Sequence, residues 1–310
     1  MAHFKHKISL IVPTRNRQEL LNKMLNSVEK QTVMPDQVII VDGSDEPIEN
    51  DIQHFLSKGI DYIRVYPPSL TKQRNAGFKV VNEGITLVGY LDDDIELEMN
   101  AVEKLLSFWE TCADDIGGTS FNITNNPVRK SLTKPLLRFF MIESNVPGKV
   151  LRSGFNTGVY PLEQNTYSEW LCGGATVWKK DILDKYEFDE WYKGWAYYED
   201  VEFSHRVARN YKLVVLSDAR LEHNPPPYNI KRNYILGKMA VINRYHFVKK
   251  NTDLSVSLYY WSLIGEITIN IMQSIWERNL GGFRLAFGNI SGLIDIVTGK
   301  LVQVDVNFRK

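Results

Sequence analysis

The first hundred residues alternate short apolar runs with stretches of helical spacing, and that alternation leaves few folds open. Strands that each feed a helix return in parallel through crossovers, which builds βαβ units and a mostly parallel sheet covered by helices. Ile8 to Val12 reads as a strand ending at Pro13, and Leu20, Leu21, Met24, Leu25 and Val28 recur at helical spacing from Gln18 onward. Gln37 to Val41 and Tyr62 to Tyr66 read as further strands, a helix is expected from about Thr71 after Pro67-Pro68, and Thr86 to Leu91 is the next strand. After Trp109 the pattern loosens. Residues 124 to 168 hold Pro127, Pro135, Pro147 and Pro161 among several Asn and Gly, the chemistry of binding loops. Regularity returns at Trp170 to Lys180, followed by a helix over Glu199 to Asn210, a strand at Leu213 to Leu216 and a short segment ending at His223. Pro225-Pro226-Pro227 then breaks the chain, so the expected domains are 1–225, an α/β domain, and 226–310, a helical tail.

Asp92, Asp93 and Asp94 follow directly on the apolar run Leu87 to Leu91. Clustered like charges at the end of a buried strand are costly unless they meet water, a cation or a ligand. In open α/β sheets ligands bind beyond the carboxyl ends of the strands, so the cluster marks a site. Asp92 and Asp94 could hold one divalent metal and, through it, a phosphorylated substrate. The competing reading is the first turn of a helix, since a helical pattern follows from Leu97.

Other segments carry chemistry in pairs of readings. Pro13-Thr14-Arg15-Asn16-Arg17 joins a strand to a helix, where free N–H groups and two arginines suit a diphosphate, or simply form a capping turn. Asp42-Gly43-Ser44 could accept hydrogen bonds from a base or ribose, or be a common turn. Arg74 sits early in a helix, where the macrodipole disfavours a cation and an anionic ligand would favour it. Glu199-Asp200 opens another helix, as caps or as a general base with a partner that holds a sugar hydroxyl. His223, at a strand end, could complete a metal site or be a hydrogen-bonded loop histidine. Neither Gly-x-Gly-x-x-Gly nor a P-loop occurs, which weighs against a dehydrogenase and an NTPase.

Charge and cysteine content narrow the setting. Lys plus Arg and Asp plus Glu both number 37, so no bulk basic field argues for nucleic acid. Cys112 and Cys172 have no paired spacing, which fits a reducing compartment and the cytoplasm. The run Ile8 to Val12 behind the basic Met1–Lys7 is too short for a signal-peptide core. Leu254 to Ile275 is rich in apolar residues but carries Glu266 and Asn270, so it reads as a core helix or an interfacial membrane helix. Lys231, Arg232, Lys238, Arg244, Lys249 and Lys250 would give a basic helix that attracts an anionic bilayer, or an ordinary solvated face.

Taken in order, Ile11-Val12-Pro13-Thr14-Arg15-Asn16-Arg17, Val38-Ile39-Ile40-Val41-Asp42-Gly43-Ser44, Arg74-Asn75-Ala76-Gly77, Leu91-Asp92-Asp93-Asp94, Cys172-Gly173-Gly174 and Glu199-Asp200 resemble the family 2 glycosyltransferases. The resemblance covers residues 8 to about 225 and implies the GT-A fold, a Rossmann-like mostly parallel sheet flanked by helices, here with a C-terminal helical tail. It further implies an inverting transfer of one sugar from a nucleotide-diphosphate sugar, with a UDP-sugar as the default. The acceptor would be a hydroxyl of a glycan or lipid-linked glycan in cell-surface polysaccharide synthesis. On that resemblance Pro13, Thr14, Arg15, Asp42 and Arg74 hold the nucleotide. Asp92, Asp93 and Asp94 bind Mn2+ or Mg2+ and the donor, and His223 joins Asp92 and Asp94 on the metal. Asp200 is the base with Glu199 second, and Trp170, Gly173 and Gly174 border the acceptor. Two departures stand out. The acidic loop, Val41-Asp42-Gly43-Ser44, is one residue shorter than the commoner form, and the Gln-x-x-Arg-Trp of processive synthases is missing, which favours single addition. The expected location is cytoplasmic, at the inner face of the plasma membrane, with peripheral contact through the C-terminal helices. The alternatives are a sugar-phosphate nucleotidyltransferase, whose Gly-rich opening is missing, and a catalytically silent glycan- or nucleotide-binding protein.

Overall fold

The structure, a computed structural model, describes residues 4–126, 134–227 and 229–300. Met1–His3, Pro127 and the last ten residues of the tail, on which parts of the sequence reading fall, lie outside the described residues. The chain forms two compact units, one of Met1–Val128, Val159–Glu190 and Phe203–Pro226, the other of Arg129–Gly158, Trp191–Glu202 and Pro227–Lys310.

The first unit is an α/β body, and it differs in extent from the expected 1–225 domain by leaving residues 129–158 and 191–202 to the second unit. Its strands are β1 (Ile8–Thr14), β2 (Gln37–Asp42), β3 (Asp61–Arg64), β4 (Leu87–Leu91), β5 (Ile95–Leu97), β6 (Ile116–Ile123), β7 (Thr166–Ser168), β8 (Ala175–Lys179) and β9 (Lys212–His223). They form one nine-stranded sheet in the order β3-β2-β1-β4-β8-β6-β9-β5, with β7 on β9. β3, β2, β1 and β4 run parallel, as does β6 with β9; β8, β5 and β7 pair antiparallel. The chain moves outward from β1 through β2 to β3 and then returns to the other side of β1 for β4. That reversal is the topological switch point at which open α/β sheets bind ligands.

Strand alternation explains the burial on both faces. Leu10 and Val12 enter one apolar cluster with Leu21, Leu25, Val38 and Ile40, whereas Ile11 enters the opposite one with Ile39, Val41 and Tyr90. Helix α1 (Gln18–Glu29) docks on the first cluster through Leu21, Met24, Leu25 and Val28, all fully buried. Burial stabilises each by about 1.5–3 kcal/mol, so Leu25→Ala alone would cost about 2–5 kcal/mol. Helix α2 (Leu70–Phe78) packs on the other face, and a Cβ at Gly77 would stand 2.5 Å from Ile11 Cγ2. The glycine of the Arg-Asn-Ala-Gly segment is thus there for close helix-to-sheet approach. Helix α3 (Ala101–Thr111) begins seven residues after Asp94, and β5 intervenes. The helix-start reading of the three aspartates is therefore wrong; they lie in a turn between two strands.

Sequence reading missed β6, whose residues Ile116–Ile123 are polar and glycine-rich yet wholly buried. The Trp178 ring lies over Gly118, where a Cβ would collide with it, so this strand buries backbone against an aromatic instead of an apolar side chain.

The second unit holds helices α5 (Asn233–Lys250), α6 (Val256–Trp276) and α7 (Gly281–Val297), and the start of α4 (Glu199–Ala208), whose later turns belong to the first unit. Among the described residues no helix is long and apolar enough to cross a membrane. Three of the six cations read as a basic face of the tail are paired with acids. Lys238 pairs with Asp295 at 2.6 Å, Lys250 with Glu202 at 2.8 Å, and the buried Arg244 with Glu266.

Candidate functional site

Register places Thr14 opposite Asp42 and Asp42 opposite Arg64, so one row of polar residues ends β1, β2 and β3. Asp42 is fully buried and is used within the protein: Oδ1 accepts from Ser44 N (2.7 Å), and Oδ2 accepts from Tyr62 O–H (2.7 Å) and Ile48 N (3.3 Å). Arg64 Nε stands 3.7 Å from it and its Nη2 donates to Ser44 O. Here the residue shapes the loop after β2.

That loop is tied to the one after β1. Gly43 N donates to Thr14 O, Asn16 N to Ser44 Oγ, and Asn16 exchanges side-chain bonds with Asp45. Asn16 takes a left-handed φ of 53°, which Asn tolerates better than most residues. Arg15 donates to the exposed Asp45 at 3.1 Å, a contact of small energetic value. Pro13 is buried as the penultimate residue of β1.

Across the switch point the acids are knitted into this frame. Thr14 Oγ1 donates to Asp93 Oδ2 at 2.7 Å, and Arg17 Nη1 donates to Asp93 Oδ1 at 3.0 Å and Asp94 Oδ2 at 3.2 Å. Asp93 is buried, and burial pushes its carboxyl up to about 6, although Arg17 and Thr14 pull the other way. Burial also works against the charge on Asp94, but His223 and Arg17 outweigh it and hold that carboxyl below its ordinary range. Asp94 in turn holds the His223 imidazole above its ordinary value against partial burial. Antiparallel pairing of Ile95 with His223 brings these two residues together from distant parts of the chain. His223 Nε2 is 3.2 Å from Asp94 Oδ1, an oxygen that is buried and makes no hydrogen bond of ordinary geometry. Asn125 fixes the histidine by bonding both its N–H and its carbonyl.

Asp92 differs from its neighbours: its side chain is 36% exposed, and Arg74 Nη2 donates to its Oδ1 at 3.3 Å. Arg74 is almost wholly buried, with its guanidinium 5.1 Å from the centre of the Phe188 ring and 5.9 Å from that of Tyr90. Asn75 holds Phe188 through both its backbone N–H and its carbonyl, and Gln73 ties α2 to Thr14 O and Val41 O. A cavity of about 320 Å³ shares Asn75, Tyr90 and Phe188 with this support and includes none of the expected site residues. Gly174 lies against Asp92: a Cβ there would run into the carboxylate, and Asp92 N donates to Gly174 O at 3.1 Å. The Gly173-Gly174 segment, expected beside the acceptor, thus cradles the exposed acid. Trp170 is half-buried with its backbone held by Ser168.

The expected site therefore gathers Thr14, Arg74, Asp92, Asp93, Asp94, Gly174 and His223, and adds Arg17, one of the two arginines read as suiting a diphosphate but absent from the residues that the resemblance assigns. Among the described residues no group of three or more His, Cys, Asp or Glu is arranged to hold a metal ion. Two of the expected ligands nevertheless converge, since the orphaned Asp94 Oδ1 faces His223 Nε2. Oxygen and imidazole donors of that kind fit a divalent cation whose remaining positions are taken by water or substrate oxygens.

Glu199 and Asp200 belong to the second unit. Glu199 is buried, Asp200 is partly exposed, and Asp200 Oδ1 accepts from Val201 N at 2.8 Å. The turn before them is strained: Ala196 has φ 52° and Tyr198 φ 84°, the latter a rare conformation for a bulky residue. It is pinned by the Tyr198 O–H on Gly154 O and Asn156 Oδ1, and by Asn243 Nδ2 on Tyr197 O.

Comparison with known proteins places this frame. Residues 9–159 match the family described as Glycosyl transferase family 2, a stretch that includes β1 through β6 and all three aspartates. Over 105 residues the chain is 33% identical to the GalNAc(5)-diNAcBac-PP-undecaprenol beta-1,3-glucosyltransferase of Campylobacter jejuni subsp. jejuni serotype O:2. That match covers 32% of this chain and 33% of the relative, so the chain spans about a third of the relative's length. Among solved structures, S. aureus TarS 1-349 is similar at TM-score 0.55 and 16% identity, over 95% of this chain and 82% of that one. The mannosyltransferase PcManGT from Pyrobaculum calidifontis is similar at TM-score 0.59 and 11% identity, over 93% and 87%. At such identities the likeness shows the fold, which is GT-A. Residues 9–159 are thus similar to glycosyl transferase family 2, with the three strand-end aspartates inside the matching region.

Proposed function

We propose that the protein is an inverting glycosyltransferase that moves one sugar from a nucleoside-diphosphate sugar, a UDP-sugar by default, to a hydroxyl of a glycan or lipid-linked acceptor. The observation that carries this reading is the network at the switch point, where Thr14, Arg17, Arg74 and His223 gather on Asp92, Asp93 and Asp94 in a chain whose residues 9–159 match family 2. The relative's name, with its undecaprenol-linked glycan, supports a lipid-carried acceptor in surface polysaccharide assembly, and hence work at a membrane surface. A TarS structure holds UDP-GlcNAc and the PcManGT structure holds GDP-Man and Mn2+, which supports a nucleotide-sugar donor. The match of residues 9–159 to glycosyl transferase family 2 favours this reading over a nucleotidyltransferase or a silent binding module.

The chemistry follows from charge. As the bond from the anomeric carbon to the diphosphate breaks, the electron pair leaves with the diphosphate and positive charge builds on the sugar. Arg15, Arg17 and Arg74 supply fixed cations near the departing group. Pro13 and Asp42 shape the loops that receive the nucleoside. Asp94 and His223, with Asp92 toward the donor, would hold Mn2+ or Mg2+, whose charge would favour the leaving diphosphate. Asp200 takes the proton of the acceptor hydroxyl as its oxygen bonds the anomeric carbon from the opposite face, which inverts the configuration. Glu199 supports that helix start, while Trp170, Gly173 and Gly174 border the acceptor.

Calorimetric titration with UDP, dTDP, GDP and CDP, with and without Mn2+, tests the reading. It is supported when one nucleotide binds in a metal-dependent way and its sugar conjugate is turned over. Turnover of none of the conjugates, despite metal-dependent nucleotide binding, would point to a silent module.

A further inference from the structure

Helices α6 and α7 turn apolar side chains outward along their whole length. On α7 the outer stripe is Phe283, Phe287, Ile290, Ile294 and Val297, spaced by four and three residues, with Phe287 62% and Val297 73% exposed. On α6 one face exposes Trp261, Ile264, Met272, Ile275 and Trp276, the last at 86%, with Thr268 between Ile264 and Met272. An ordinary surface helix carries charged and polar residues on that face. Between Val256 and Lys300 the sequence holds only six charged side chains, Glu266, Glu277, Arg278, Arg284, Asp295 and Lys300. None of them lies in either stripe. Glu266 and Asp295 are already paired with Arg244 and Lys238 of α5.

We infer that this two-helix face lies on a lipid bilayer, inserted to the depth of its side chains and held by apolar burial instead of attraction to anionic headgroups. The uncharged polar side chains Thr268, Asn270 and Asn289 of α6 and α7 find partners within the helices, as contact with hydrocarbon demands. Thr268, the polar residue within the α6 stripe, turns its hydroxyl back to Ile264 O at 2.8 Å. Asn270 donates to Asn289, and Asn289 to Gly237 O. The face is complementary to an uncharged slab: it presents no ionisable group. Two adjacent stripes, each up to about 30 Å long, make a broad sheet of apolar surface, whereas a seam with one helix of a second copy needs a single narrow stripe. Lying in the plane of the interface, such a face contacts one leaflet. Such a face fits, and for its use rests on, the lipid-carried acceptor proposed above.

The test is flotation of the full chain with vesicles of pure phosphatidylcholine, at about 0.1 M and about 0.5 M NaCl, without donor or acceptor. The wild type should float equally at both salts. The triple variant Phe287→Ser, Ile290→Ser, Ile294→Ser should float at least about tenfold less, while its far-UV circular dichroism and its turnover of a water-soluble acceptor stay unchanged. If the variant is misfolded, Trp276→Ser and Ile275→Ser at the helix end serve instead, and they should also weaken flotation. Failure of the wild type to float, a need for anionic lipid abolished by salt, or a concentration-dependent dimer that the variant disrupts would each overturn the inference. Flotation needs no catalysis, so a protein that floats but turns nothing over breaks the glycosyltransferase reading alone.

Discussion

Two acidic clusters in this molecule are held in opposite ways. Asp93 and Asp94 are buried among partners far away in sequence, Arg17, Thr14 and His223, which set their charge. Glu199 and Asp200 sit at a helix start behind a backbone turn with two residues at positive φ, pinned by Tyr198 and Asn243. The first cluster is fixed by electrostatics across the switch point of the sheet, the second by local geometry. A donor platform needs a charge balance that a diphosphate can enter, whereas a base needs an aimed oxygen. Each construction suits the task proposed for it.

The sharpest way to break this division is Asp200→Asn. Turnover should fall by about 10²- to 10⁴-fold while nucleotide affinity and stability hold, because the amide keeps the shape but cannot take a proton. Steady-state kinetics beside calorimetry would read this. Near-normal turnover, with the loss appearing in Glu199→Gln instead, would move the base one residue back.

Asp94→Ala should act on the other half of the contrast. Loss of the carboxylate beside His223 should weaken Mn2+-dependent nucleotide binding by at least about tenfold, with metal-independent binding little changed. Equal affinity of variant and wild type in Mn2+ would remove the metal assignment. Arg17→Ala should then cost about 2–3 kcal/mol in urea unfolding, since it strands two buried carboxylates whose charges it balances; its partial exposure keeps the figure below that of a fully buried pair. No loss of stability would mean that the acids do not depend on it.

What the sequence disclosed follows the same line. Strands β1, β2 and β4 and the helix after β1 were legible because parallel strands buried on both faces are near-continuous apolar runs, and because Leu21, Met24, Leu25 and Val28 keep one helix face. The place of the aspartates at a strand end was legible too. Their partners were not: nothing local distinguishes Arg17 from Arg15, yet one enters the acids and the other meets Asp45. His223 reaches Asp94 only because β5 pairs with β9, a register no periodicity encodes. β6 stayed hidden because its burial depends on Trp178 lying over Gly118. The tail's cations looked like a basic face, and pairing with Asp295, Glu266 and Glu202 is visible only in three dimensions.

The smallest expected effect is the most particular to local geometry. Tyr198, with its backbone φ of 84°, keeps its ring in Tyr198→Phe but loses the O–H that reaches Gly154 O and Asn156 Oδ1. Removing one buried hydrogen bond should cost about 1 kcal/mol of stability. Strain of this kind persists only where surrounding contacts over-determine it, so a loosened turn should relax and let the start of α4 wander. Turnover should drop severalfold through kcat, with KM for the donor unchanged, because the proposed donor platform of Asp92, Asp93 and Asp94 is built from other contacts. Equal loss in kcat and donor affinity would show that the two clusters are not separately held, and the contrast between them would fall.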